Sequence, residues 1–255
     1  MTSVAVLGLG EAGSRIAADL VAAGADTRGF DPVALDAPAG VVRAQDPISA
    51  VSDAAVVLCL TAAARAVAAA QSVLAALQPG TIYADLNTTA PALKRDLATL
   101  VASAGVQFVD VALLGPVPAR GLGTPALASG VGARAFADEL VPLGMPVTVV
   151  SELAGDAATL KLLRSVFMKG LAASAVESVT AAEAAGHADW LKGELAAVIG
   201  EPLLERLLEG SRRHAARRVD EMEAARDLLL ELGIEPRIAT ASAALLAELE
   251  AAEAR

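Results

Sequence analysis

Aromatic residues are scarce in this 255-residue chain, at 2% of the total. Cysteine occurs once, as Cys59, and histidine twice, as His187 and His214. One cysteine cannot close an internal disulfide, and Cys59 lies in an apolar run, where a core residue belongs. No Cys/His cluster offers a zinc site, so metal-free chemistry is expected. Basic residues are outnumbered, and the formal net charge is −10. That charge repels phosphate backbones, so nucleic acid is not an expected partner. Long hydrophobic runs are missing as well. The stretch 54–64 is apolar but stops at Arg65, short of the roughly 20 residues a membrane span needs. The stretch 1–10 carries no basic leader and is followed by Glu11, so an export signal is not expected either.

What is abundant is Ala, Leu, Val and Gly. Hydrophobic residues make up 55% of the chain, above the usual share for a soluble domain. With no membrane to receive it, the excess points to a subunit interface. The expectation is a cytoplasmic homodimer, joined through its helical part.

The first half alternates short β-like runs with helical stretches. Strands are expected at 3–8, 27–30, 41–43, 54–60, 81–85 and 107–111. Helices are expected at 12–23, 64–77 and 91–104. This rhythm, with continuous apolar strands, predicts a parallel sheet covered by helices on both faces. The segment 115–124 holds three glycines and two prolines and reads as a loop. Strands return at 126–129 and 147–150. From Gly155 onward the pattern is helical, with breaks near Gly186, Gly200–Pro202 and Gly233–Pro236.

The strongest motif is Gly8-Leu9-Gly10-Glu11-Ala12-Gly13, which fits G-x-G-x-x-G. It follows a strand and opens an amphipathic helix, the context that makes this spacing informative. The first glycine permits a tight turn, the second lets backbone approach a pyrophosphate, and the third lets helix and strand pack closely. The helix N-terminus then faces the phosphate charge. The fold class that follows is α/β: a Rossmann doubly wound parallel sheet at 1–152, then an all-α domain at 153–255. The cofactor is NAD, with NADP as the alternative. Asp31, at the end of the second strand, is placed to accept hydrogen bonds from the adenosine ribose and to repel a 2′-phosphate. It also suits a turn-forming Asp-Pro pair. Arg28 and Arg43 are the side chains that could favour NADP. Leu60 and Thr61 end one strand, and Asn87 and Thr88 follow another. Ligands of open α/β sheets lie at such carboxyl ends. Asn87 and Thr88 are candidates for the nicotinamide side or, equally, for capping the next helix.

These residues resemble the β-hydroxyacid dehydrogenases, the family of 3-hydroxyisobutyrate dehydrogenase and the N-terminal part of 6-phosphogluconate dehydrogenase. Three motifs carry the resemblance: Gly8–Gly13, the stretch from Asp110 through Gly115 to Gly123-Thr124, and Gly155-Asp156-Ala157-Ala158-Thr159-Leu160-Lys161. The runs Gly115-Pro116-Val117-Pro118 and Lys161–Ser165 are similar to a bacterial, phosphogluconate-dehydrogenase-like subfamily with a helical C-terminal domain of unassigned function. The resemblance implies a substrate loop at Leu114, Gly115 and Pro116 and a catalytic lysine at Lys161. Where the family has a serine before two glycines, this chain reads Leu114-Gly115-Pro116. Where the family has an asparagine one turn after the lysine, it reads Ser165.

Lys161 also stands out on chemical grounds. The chain has four lysines, Lys94, Lys161, Lys169 and Lys192, and uses arginine elsewhere. Hydride transfer from an alcohol needs a base for the hydroxyl proton, and the reverse needs an acid. A buried lysine can exchange its proton near neutral pH, whereas an arginine cannot. Ser165 and Lys169 follow on the same side of the helix. Arg164 could clamp a substrate carboxylate or phosphate. His214 and Arg218, in the basic run 212–218, share one helical face and are further candidates for an anionic substrate. The expected function is hydride transfer between the nicotinamide and a small hydroxy acid or its carbonyl counterpart. Lys161 would be the acid/base, and Asn87 and Gly115 would orient the substrate. The alternatives are an imine reductase on the same architecture and a non-catalytic dinucleotide-binding protein.

Overall fold

The computed structural model describes residues 2–34 and 36–253. The chain divides into two compact units, Met1–Thr159 and Leu160–Arg255. The first unit carries β1 (Ser3–Leu7), α1 (Glu11–Ala22), β2 (Asp26–Phe30), β3 (Val42–Arg43), α2 (Pro47–Val51), β4 (Val56–Cys59), α3 (Ala66–Val73) and β5 (Ile82–Asp85). It continues through α4 (Pro91–Ala102), β6 (Gln107–Leu113), α5 (Val117–Arg120), β7 (Ala126–Ser129), α6 (Ala133–Leu140) and β8 (Val147–Ser151). The long α7 (Asp156–Ala185) starts in the first unit and ends in the second. There α8 (Ala188–Ile199), α9 (Glu201–Arg213), α10 (Ala215–Glu231) and α11 (Arg237–Glu253) follow.

Among the described residues the sheet has eight strands in the order β3-β2-β1-β4-β5-β6-β7-β8. Strand side chains alternate between faces, and the sequence fills both faces with apolar groups. Val4, Val6, Val56 and Leu58 join Ile16, Leu20, Phe136 and Leu140 in one core. Ala5, Leu7, Val57 and Cys59 join Ala70, Val73, Leu97 and Val101 in the other. Burial on both faces is why β1 and β4 read as unbroken hydrophobic runs. The chain order reverses between β1 and β4, the switch point at which such sheets open a ligand crevice.

Several expectations are corrected. The sheet is mostly rather than wholly parallel, because β7 pairs antiparallel to β6. The segment 115–124 is not plain loop. Pro116 opens α5, and Gly121–Gly123 adds a 3₁₀ turn. That turn is held on α1, where Asp19 Oδ2 accepts the Leu122 N–H at 2.9 Å. Two further helices escaped the sequence reading. Asp46 caps α2 by accepting from the Ser49 N–H at 2.7 Å, with Pro47 in the first turn. The other, α6, buries Ala133, Phe136 and Leu140 on one face. A further unforeseen break at His214 separates α9 from α10.

The second unit is helical throughout its described residues, with Leu162, Met222, Ala225, Leu228, Ala239 and Leu246 at its core. Among the described residues, no helix is long and apolar enough to cross a membrane.

Candidate functional site

The turn from β1 into α1 holds the glycine motif, and its three glycines answer to different forces. Gly8 has φ +102°, and a Cβ there would run into the Leu60 carbonyl oxygen. A Cβ on Gly13 would strike the Gly8 carbonyl oxygen. Both are required by the fold itself. Gly10 is different. Its φ of −68° suits any residue, and a Cβ there would meet nothing within 4 Å. Protein packing gives no reason for glycine at this position, whereas close approach of a phosphate does. The first-turn N–H groups of α1 have no intrahelical partners and carry its positive dipole end. Leu9 is buried, Glu11 is exposed, and Ala12 packs on the core.

Asp31 closes the other side of this turn. Its Oδ2 accepts the Leu9 N–H at 2.8 Å, and its Oδ1 accepts the Val33 and Ala34 N–H groups at 2.8 and 3.0 Å. Burial pushes its carboxyl up. The three backbone bonds and the Arg43 charge outweigh this and hold it below the usual carboxylate range. Asp31 therefore builds the turn, one of the two roles expected of it, and stays ionised at the strand end. The two arginines that could have favoured a 2′-phosphate are engaged. Arg43 donates to the Ala34 and Asp31 carbonyls at 2.6 and 3.3 Å, and Arg28 pairs with Asp53 at 3.3 Å.

At the ends of β4 and β5, Thr61 and Asn87 come together at 3.5 Å. Asn87 is buried, and its Nδ2 donates to Asp85 Oδ1. Its Oδ1 is buried without a hydrogen-bond partner among the described residues. A buried acceptor without a partner at the carboxyl end of a strand fits a bound dinucleotide. Asn87 does not cap α4, since Ala90 occupies that position. Sequence reasoning missed Lys94. It lies fully buried on α4, with Nζ 2.7 Å from Asp85 Oδ2 and 3.0 Å from Asp110 Oδ1. The signal was legible, because Lys94 falls on the inward stripe with Pro91, Leu97 and Val101.

In the segment expected to bind substrate, Leu114 is half-buried and its N–H donates to the Pro125 carbonyl at 2.8 Å. Gly115 and Pro116 are exposed.

In the helical unit Lys161 is half-buried, Arg164 is exposed and Ser165 is buried. Ser165 donates to Glu221 Oε1, and Lys169 Nζ lies 2.7 Å from the same oxygen and 3.1 Å from Ser165 Oγ. Sequence reasoning did not include Glu221. It shares a helical face with the buried Ala225 and Leu228, a carboxylate on an apolar stripe. Burial pushes the Glu221 carboxyl up, but the Lys169 charge, its hydrogen bonds and Lys161 bring it below the ordinary range. Burial pulls Lys169 below the ordinary lysine range despite Glu221, with Arg218 and Arg217 adding to the effect. The expected common helical face of His214 and Arg218 is corrected. His214, at φ −128°, is the non-helical residue between α9 and α10 and is exposed. Arg218 is half-buried and donates to Ser211 Oγ at 2.8 Å.

Residues 3–143 match the family described as the NAD binding domain of 6-phosphogluconate dehydrogenase. The chain belongs to that family. Its cofactor class is accordingly NAD(P). Residues 182–249 match a second family, described as a domain of unknown function (DUF1932). A probable 3-hydroxyisobutyrate dehydrogenase of Mycobacterium bovis is 34% identical over 137 residues, 52% of this chain and 46% of that protein. The chain spans about half the length of the curated relatives it matches. A conserved hypothetical protein of Sinorhizobium meliloti 1021 has a similar structure, with TM-score 0.79 and 30% identity over 97% of this chain and 88% of that one. The Mycobacterium tuberculosis 3-hydroxyisobutyrate dehydrogenase, solved with L-serine, has TM-score 0.83 at 23% identity, covering 98% of this chain and 94% of that one. At that identity the likeness is one of fold.

Proposed function

We propose that this chain is an oxidoreductase that moves hydride between NAD and a small anionic hydroxy acid or its carbonyl counterpart. The observation that carries the reading is Gly10, a glycine that neither backbone conformation nor packing requires, at the N-terminus of α1. The first turn of α1 would hold the pyrophosphate. Asp31 would accept from the ribose hydroxyls, and the engagement of Arg28 and Arg43 supports NAD over NADP. Leu60, Thr61 and Asn87 would line the nicotinamide end, and the bound nicotinamide supplies or takes the hydride.

Lys161 is the acid/base of this proposal, giving or taking the hydroxyl proton. Ser165 takes the place of the family asparagine, but its hydroxyl is turned into Glu221, so it supports the lysine face rather than the substrate. Lys169 pairs with Glu221, and Lys161, Arg164 and Arg218 add positive charge to the helical unit that would favour an anion. Gly115 and Pro116 are exposed and could present backbone to a substrate. The buried thiol of Cys59 suits a reducing compartment and the proposed cytoplasmic location.

The test is a panel of small hydroxy acids, semialdehydes, phosphorylated sugar acids and cyclic imines, followed by nicotinamide absorbance with both cofactors. A hydroxy acid or semialdehyde turned over with NAD is expected. Faster reduction of cyclic imines would replace this reading with imine reduction. Cofactor binding without turnover of anything in the panel would replace it with a binding role. Lys161→Ala should keep NADH affinity and lose about 10²-fold or more of turnover, and unchanged turnover would remove the lysine from the mechanism.

A further inference from the structure

Inside the first unit lies a charge cluster to which the roles above give no task. The Lys94 ammonium is fully buried; it donates to the Asp85 carbonyl (2.8 Å) and forms ion pairs with Asp85 Oδ2 (2.7 Å) and Asp110 Oδ1 (3.0 Å). Asp85 and Asp110 are direct neighbours in register on β5 and β6. Like charges so placed repel, and Lys94 is what holds them side by side. Two carboxylates against one ammonium still leave one buried negative charge. Each carboxylate turns its second oxygen to a different recipient. Asp85 Oδ1 accepts from Asn87 Nδ2, and Asp110 Oδ2 accepts the Ala158 N–H in the first turn of α7 at 2.9 Å. Ser129 Oγ accepts the neighbouring Ala157 N–H at 3.0 Å. The helix dipole thus takes up the remaining charge.

A buried ion cluster is a poor way to gain stability, since apolar groups of the same volume serve as well or better. This one sits at the carboxyl end of β5, level with the middle of β6, and such strand ends are where open α/β sheets take their ligands. We propose that Lys94 is a positioning residue: by clamping Asp85 beside Asp110 it aims the Asn87 amide and anchors the first turn of α7. The inference rests on Asn87 facing the cofactor, as proposed above.

The experiment is a titration of the full chain with NADH, read by cofactor fluorescence. The variants are Asn87→Ala, Asp85→Asn, Lys94→Met and the double variant Asp85→Asn/Asn87→Ala, each held well below its own unfolding temperature. Asp85→Asn leaves a neutral Lys94–Asp110 pair, so it tests the idea even if Lys94→Met does not fold. Its amide oxygen is drawn to Lys94, which turns the NH₂ group toward Asn87 and breaks that bond. Asn87→Ala is expected to weaken NADH binding about tenfold, the worth of one well-placed hydrogen bond. Asp85→Asn and Lys94→Met should lose nearly as much, and the double variant should bind no worse than Asn87→Ala alone. Losses that multiply in the double variant would show Asp85 acting independently of Asn87 and would overturn the proposal. So would wild-type NADH affinity in Asp85→Asn while Asn87→Ala binds poorly. Wild-type affinity in Asn87→Ala would instead overturn the cofactor reading of Asn87, and the inference with it.

Discussion

Gly10 and Gly13 stand three residues apart, and alanine at each should report a different force. Gly13→Ala drives a Cβ into the Gly8 carbonyl, in a turn held by the Gly8 N–H bond to the Phe30 carbonyl at 2.8 Å. Overpacking of this kind costs about 1–3 kcal/mol, so the thermal midpoint should fall and NADH binding should fall with it. Gly10→Ala meets open space. Its midpoint should stay near wild type while NADH affinity drops about tenfold or more, the scale of one charge-assisted hydrogen bond. Calorimetry and fluorescence titration on the pair separate the two, and equal NADH affinity in Gly10→Ala and wild type would count against a phosphate there. Asp31 allows a second residue-scale prediction. With its carboxylate ionised and both nearby arginines engaged, kcat/KM for NAD should exceed that for NADP by about tenfold or more. Asp31→Ala should narrow that ratio, although it also removes three turn hydrogen bonds.

At the scale of elements, α7 and α10 are tied through Ser165, Lys169 and Glu221. The Glu221 carboxyl is held below its ordinary value, so it binds fewer protons in the folded than in the unfolded state. Its contribution is fully present above the unfolded value near 4.5 and is lost as pH falls through the folded value. Chemical denaturation should show stability falling on the acid side, with a shallower fall in Glu221→Gln. At neutral pH the variant should cost about 3 kcal/mol, because it leaves the half-sealed Lys169 ammonium without its countercharge. An unchanged acid slope would mean that the Glu221 carboxyl binds its proton equally well in the folded and unfolded protein. Gln lacks the charge but keeps an acceptor for Ser165, so its effect isolates the ionic part.

For the whole molecule, the composition leaves apolar surface that one copy of the chain does not cover. Among its described residues α8 has none that is buried, although it carries Trp190, Leu191, Leu195, Val198 and Ile199. Trp190 is 68% exposed and Val198 81%. The proposed homodimer through the helical unit would cover such a face. Light scattering at micromolar concentration should return twice the chain mass. Trp190 is the sole tryptophan, so its emission should shift to longer wavelength on dilution into monomer. Val198→Asp should weaken the dimer without lowering cofactor binding in the first unit, and a wild-type monomer at these concentrations would refute the arrangement.

Periodicity and turn chemistry are local properties, and they were enough to place most strands, the long helix, the glycine turn and Asp31. The signals for α2 and α6 were also local: an Asp-Pro cap for one, an Ala133–Phe136–Leu140 stripe for the other. Partnership across the fold is different. Lys94 and Glu221 each break an apolar stripe, which marks them as unusual, but a stripe does not name the partner. Asp85 and Asp110 meet Lys94 only because β5 and β6 lie in parallel register with α4 against them. Ser165 meets Glu221 across 56 positions of chain. The His214 break left no local signal either, since the basic run reads as one continuous helix. A buried charge is tolerable only where others compensate it, and which others lie within reach was decided by the tertiary structure alone.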